Sequence, residues 1–154
     1  MKVSVQETSG LFLFANPCVG AENLSAALTK VVHLAMEKGV MSDPQTKILT
    51  IFHDSFRDTP ANKVRMSACI STSKVLEAPF LEPITVNAAT CIIGDFEIGI
   101  HEFSSSWASL YGWMNANGYR PSGQDPFEIY HNDYQSHPEK KCLVSMYIPI
   151  FPKD

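Results

Sequence analysis

One acidic side chain stands where its neighbours exclude charge. Residues 127–131 read Phe-Glu-Ile-Tyr-His, a short apolar and aromatic run suited to a buried strand, and Glu128 is the one acid in it. Strand side chains alternate, so Glu128 and Tyr130 share one face while Phe127 and Ile129 share the other. A carboxylate among aromatic rings supports two kinds of chemistry. Ionised, it attracts a lipophilic cation, and each ring face adds roughly 0.5–2 kcal/mol by cation–π contact. Without a cationic partner, burial raises its pKa and favours the neutral form, which suits a proton-transfer group or general base. Both remain open at this point.

Other reactive residues suggest less. Cys18, Cys69, Cys91 and Cys142 lie tens of residues apart with no C-x-x-C pair, which argues against a zinc ribbon or a dithiol and for small buried side chains. His53 and His131 each precede an Asp or Asn turn, and no third ligand stands at a metal-like spacing. Structural histidines are expected, with no metal and no cofactor. There is no serine elbow and no phosphate loop.

The elements that must position Glu128 are written twice. Sliding the chain by 78 residues lays 48–70 over 126–148 without a gap, with six of 23 positions identical: Ile51/Ile129, His53/His131, Pro60/Pro138, Lys63/Lys141, Ser67/Ser145 and Ile70/Ile148. Thr50 falls on Glu128 and Phe52 on Tyr130. At a shift of 79, Leu24, Leu28, Val31 and Ala35 fall on Phe103, Trp107, Leu110 and Met114. Both sets have the 4, 3, 4 spacing of one helix face, and Gly39 and Gly118 stand where a helix stops. Ser104, Ser105 and Ser106 are candidate N-caps of the second helix. Strand patterns precede each helix, at 2–6 and 11–15, then at 84–88 and 91–98. Hairpin patterns follow, at 47–53 with 64–71, then at 127–131 with 143–149. Residues 76–83, with Pro79 and Pro83, read as an extended linker.

The expected fold is therefore α+β, a tandem duplication of a βαββ unit with antiparallel sheets, two main helices and pseudo-two-fold symmetry. Repeat one covers about 1–75 and repeat two about 84–150, within a single domain over 1–154. Trp107 stands at the centre of its stripe opposite Leu28 and reads as core. Tyr111 and Trp113 lie about 80° to either side, placed to line a cleft. Tyr147, matched by Cys69, is the remaining aromatic strand candidate.

The segment Pro126-Phe-Glu-Ile-Tyr-His-Asn-Asp133, with Ser136-His-Pro-Glu139 and Tyr147-Ile-Pro-Ile150, resembles the GyrI-like family of effector-binding domains. In the first half Ile51-Phe-His-Asp54, Asp58-Thr-Pro60 and Ser67-Ala-Cys-Ile70 fit the same pattern. The resemblance covers nearly the whole chain. It implies a pocket between the repeats with Glu128 at its centre, in a family of multidrug-sensing regulator domains, relatives of a gyrase inhibitor, and members that hydrolyse cyclopropane-containing toxins. Together with the residues, it leads to a binder of hydrophobic, cationic small molecules whose ligand-binding residues are Glu128, Tyr130, Phe52, Tyr111, Trp113, Tyr147 and Thr50. The alternatives are a hydrolase of strained electrophiles with Glu128 as catalytic general base, and a gyrase-inhibitor-like interaction with a protein partner.

Bulk properties agree with a small-molecule partner. The formal net charge of −4 lacks the basic footprint of phosphate binding, so no direct nucleic-acid contact is expected. No apolar run reaches the ~20 residues that span a bilayer, and the alternating Met1-Lys2-Val3-Ser4 opening does not suit a signal peptide. A cytoplasmic location without membrane contact is the expectation.

Overall fold

The computed structural model describes residues 1–153. Eight strands and two main helices follow in the order β1 (Lys2–Thr8), β2 (Leu11–Val19), α1 (Leu24–Glu37), β3 (Lys47–Phe52), β4 (Arg65–Ser71), β5 (Glu82–Val86), β6 (Ala89–Gly99), α2 (Phe103–Ala116), β7 (Phe127–Tyr130) and β8 (Lys141–Pro149). The α+β class and the order strand, strand, helix, hairpin in each half are as expected. No helix among the described residues is long and apolar enough to cross a membrane.

The chain divides into two compact units, one of residues 10–87 and one of residues 1–9 with the chain from Ala88 onward. In the first, the sheet order is β3-β4-β2-β5; in the second, it is β1-β6-β8-β7. The pairings within both are antiparallel. The sequence repeats and the compact units are thus not coextensive. β1 stands at the head of the first repeat but pairs with β6, and β5 stands at the head of the second but pairs with β2. The segment read as a linker is partly structured for the same reason. Glu82 and Pro83 lie in β5, Leu76 is buried, and Phe80 and Leu81 pack on the first core.

Each unit has its own core beneath its own helix. Val31 and Ala35 of α1 pack with Phe14, Ala68 and Ile70. Leu110 and Met114 of α2 pack with Ile92, Val144, Met146 and Ile148. The stripes differ in detail from the expectation: Leu24, Leu28, Phe103 and Trp107 are only half-buried, while Ala27 and Ser106 are buried. Gly94 explains how closely α2 approaches β6, because a Cβ there would stand 2.8 Å from the Leu110 and Phe96 side chains. Gly39 and Gly118 end the helices at φ of 71° and 73°, in the left-handed region that glycine enters without strain. The three serines do not cap α2. The helix already begins at Phe103, so Ser105 and Ser106 lie in its first turn and donate back to the Glu102 carbonyl at 3.1 and 2.7 Å.

Candidate functional site

β7 is four residues long, and three of them, Phe127, Glu128 and Ile129, are buried. Its pairing with β8 sets Glu128 opposite Met146 and Tyr130 opposite Val144, on the face covered by α2, while Phe127 faces Tyr147 across the strands on the other side. Glu128 is 3% exposed. Trp107, one turn before the core residue Leu110 on α2, donates its indole Nε1–H to Glu128 Oε1 at 2.8 Å. The Tyr130 hydroxyl donates to Oε2 at 2.6 Å.

Both partners are uncharged, and this decides the electrostatics. Burial penalises the ionised carboxylate and pushes the Glu128 pKa from 4.5 up to about 7, although the hydrogen bonds from Tyr130 and Trp107 act in the opposite direction. The nearby Cys142 thiol is also raised, first by its own burial and then by the Glu128 charge. A carboxyl group with this pKa, wrapped in indole and phenol, can hold a proton or a charge near neutral pH.

Other expected site residues fall in several places. The Tyr111 ring lies 6.0 Å from that of Trp107, tilted by 32°, so one shoulder of the α2 stripe joins the Glu128 cluster. The other shoulder, Trp113, stacks on Tyr119 at 5.9 Å. Tyr147 stacks on Phe127 at 4.6 Å, on the sheet face opposite Glu128. Thr50 and Phe52 lie on β3 in the other unit, where Thr50 is fully buried and Phe52 meets Phe56 edge-on at 5.0 Å. The stripe pattern predicts Trp107 as core, whereas the structure leaves it half-buried with its indole N–H on Glu128. Its signal was that the equivalent position in the other helix holds leucine, which has no donor, while the indole adds an N–H to an apolar body.

The paired histidines have equivalent roles. His53 Nε2 lies 2.7 Å from Ser67 Oγ, and His131 Nε2 lies 2.7 Å from Ser145 Oγ. Each is a cross-strand tie in its own hairpin. The second copy adds an acceptor, because Ser145 also donates to Asp95 at 2.5 Å where the first repeat has Pro17. Cys69, Cys91 and Cys142 are buried, Cys18 is half-buried, and all four are free thiols. Two open clefts lie elsewhere: about 260 Å³ beside Glu7, Thr8 and residues 88–90, and about 180 Å³ beside residues 118–120 and 151–153. Neither includes Glu128 or any other buried ionisable group.

Comparison with known proteins identifies the family and the fold. Residues 6–150 match the family described as GyrI-like small molecule binding domain. No curated protein matches the chain in sequence. Among solved structures, the C-terminal domain of EcmrR is similar with a TM-score of 0.81 at 11% identity, over 99% of this chain and 98% of that one. The chain spans only 58% of EcmrR as seen in its complex with DNA. SAV2435, solved bound to tetraphenylphosphonium, is similar with a TM-score of 0.62 at 11% identity, over 98% and 94% of the two chains. A hydrolase from Listeria innocua is similar with a TM-score of 0.66 at 10% identity, over 97% and 92%. At these identities the likeness is one of fold.

Proposed function

The chain belongs to the GyrI-like small molecule binding domain family, and from that premise we propose that it binds hydrophobic cationic molecules through the charge of Glu128, with Trp107, Tyr130 and Tyr111 as aromatic walls. One observation carries this reading. A buried carboxyl whose hydrogen-bond partners are both neutral has no cation bonded to it among the described residues, and a lipophilic cation supplies that balance. Coulomb attraction across a partly desolvated site suffices: at about 6 Å and an effective dielectric constant near 20, one charge pair is worth about 3 kcal/mol. Similarity of fold to SAV2435 supports the choice of probe. Thr50, Phe52, Trp113 and Tyr147 remain proposed as further ligand contacts, each tested by its own alanine variant.

Titration calorimetry with tetraphenylphosphonium at pH 8 tests the reading. Wild type is expected to bind, and Glu128→Gln to bind tenfold or more weakly, a loss of about 1.4 kcal/mol. Equal binding by the two proteins would remove Glu128 from the site.

The pKa of about 7 favours a second reading. A carboxylate that exchanges its proton near neutral pH suits a general base that activates water against a strained, electrophilic ring, with Trp107 and Tyr130 orienting the substrate. Incubation with cyclopropane-bearing electrophiles, read by product mass, separates the two. Addition of one water per substrate, lost in Glu128→Gln, establishes hydrolysis; unchanged substrate mass leaves binding alone.

A further inference from the structure

The cleft of about 180 Å³ beyond the end of α2 has a chemistry of its own. Its lining, Gly118, Tyr119, Arg120, Phe151, Pro152 and Lys153, holds two cations and no acid, in a chain whose formal net charge is −4. Backbone contacts hold its walls in place. The Phe151 N–H donates to the Arg120 carbonyl at 3.0 Å, the Ser122 N–H donates to the Pro149 carbonyl at 3.0 Å, and an antiparallel bridge joins Pro121 to Ile150. Arg120 and Phe151 therefore stand side by side on a short ladder. The Tyr119 ring is fixed by its stack on Trp113. Lys153 lies 4.0 Å from the centre of that ring and donates to the Asn117 carbonyl, which offsets the negative end of the helix dipole there.

Arg120 is the unused group. Its Cζ stands 5.9 Å from the centre of the Phe151 ring, and its guanidinium makes no hydrogen bond or ion pair among the described residues. All the N–H donors of a planar fork are thus available, beside a ring that is 51% exposed. This combination suits an aromatic acid: the carboxylate takes the fork bidentately and the attached ring covers Phe151. A cleft of about 180 Å³ lies below the ~300–1,000 Å³ of pockets for drug-sized molecules, so a single-ring acid is the matching size.

The first copy has none of these groups. At the shift of 79, Val40 and Met41 fall on Tyr119 and Arg120; at the shift of 78, Ser73 and Val75 fall on Phe151 and Lys153. The backbone is equivalent at this place, since Val40 N–H donates to the Ala35 carbonyl as Tyr119 N–H donates to the Met114 carbonyl, at 3.0 and 3.1 Å. Two cations and two rings distinguish the second copy on a shared scaffold.

We infer that this cleft is a second ligand site, separate from Glu128, which takes small aromatic carboxylates with Arg120 on the carboxylate and Phe151 on the ring.

An NMR titration of the ¹⁵N-labelled protein with benzoate tests it, at pH 7 and low salt because exposed charges are screened. Acetate lacks the ring and benzamide lacks the charge. Benzoate is expected to shift the amides of residues 118–120, 151 and 153 and to saturate below about 20 mM, with acetate and benzamide weaker by about fivefold or more. Arg120→Gln and Phe151→Ala should each weaken benzoate by about threefold or more, and the dispersion of each spectrum reports that the variant is folded. Glu128→Gln should leave benzoate binding unchanged. Absence of a saturable shift in wild type, acetate binding as tightly as benzoate, or undiminished binding in either cleft variant overturns the site. Loss of benzoate binding in Glu128→Gln overturns it too, because the effect would then belong to the buried carboxylate.

Discussion

Glu128→Gln keeps the outline of the side chain and removes its charge, so it measures what burying that charge costs the fold. Burial lifts the Glu128 pKa from 4.5 to about 7. The folded protein therefore holds this proton more tightly than the unfolded chain does. The associated stability is fully present below pH 4.5 and is lost as pH rises through about 7. The rise from 4.5 to about 7 corresponds to about 3 kcal/mol once the group is ionised in both states. Glutamine is neutral throughout. Its carbonyl can accept from Trp107, and its amide can donate to the Tyr130 oxygen. The variant is therefore expected to exceed wild type by about 3 kcal/mol at pH 8 but by only about 1 kcal/mol at pH 5. For a chain of this size the pH 8 gain is a rise in Tm of about 6–12 °C. Urea unfolding followed by circular dichroism at the two pH values is the assay. An equal gain at both, or a loss at pH 8, would refute the reasoning, because it would mean that the ionised carboxylate is well satisfied in the folded protein.

The same titration governs cation binding, since only the ionised form attracts the ligand. Affinity for tetraphenylphosphonium should level off above about pH 8 and fall about tenfold per pH unit below about 6, with one proton released per ligand bound near pH 6; Glu128→Gln should abolish the slope. Leu110→Ala, which empties a fully buried site in the core under α2, should cost about 2–5 kcal/mol in urea unfolding. Gly94→Ala should also destabilise, by about 1–3 kcal/mol, because its Cβ meets Leu110 and Phe96. Two glycines at the far end of α2 should differ in sign. Gly112→Ala has open space and an ordinary helical backbone, and should raise stability by about 0.5–1 kcal/mol; Gly118→Ala, at φ +73°, should lower it by about 1 kcal/mol.

Local order was legible because its causes are local. The 4, 3, 4 spacing of apolar residues and the glycine stops determine α1 and α2, since a helix must bury one face and end where the left-handed region is available. Period-2 alternation places Glu128 and Tyr130 on one face of β7, and a gap-free repeat marks His53 with Ser67 and His131 with Ser145 as equivalent pairs. An acid within an aromatic strand was sufficient to single out Glu128. What the sequence left open depends on groups distant along the chain. β1 and β2 are neighbours in sequence, yet β1 pairs with β6, because a strand's hydrogen-bond partner is set by which sheet edge its apolar face can complete. Only tertiary packing decided that Trp107 aims its N–H at Glu128, that Tyr111 joins the cluster while Trp113 stacks on Tyr119, and that Tyr147 lies on the opposite face. Helical periodicity gives a side chain's angle around the axis but not what meets it there. The protonation of Glu128 was decided the same way, because desolvation and two neutral donors come from α2 and β7 packed together, and neither segment carries that environment alone.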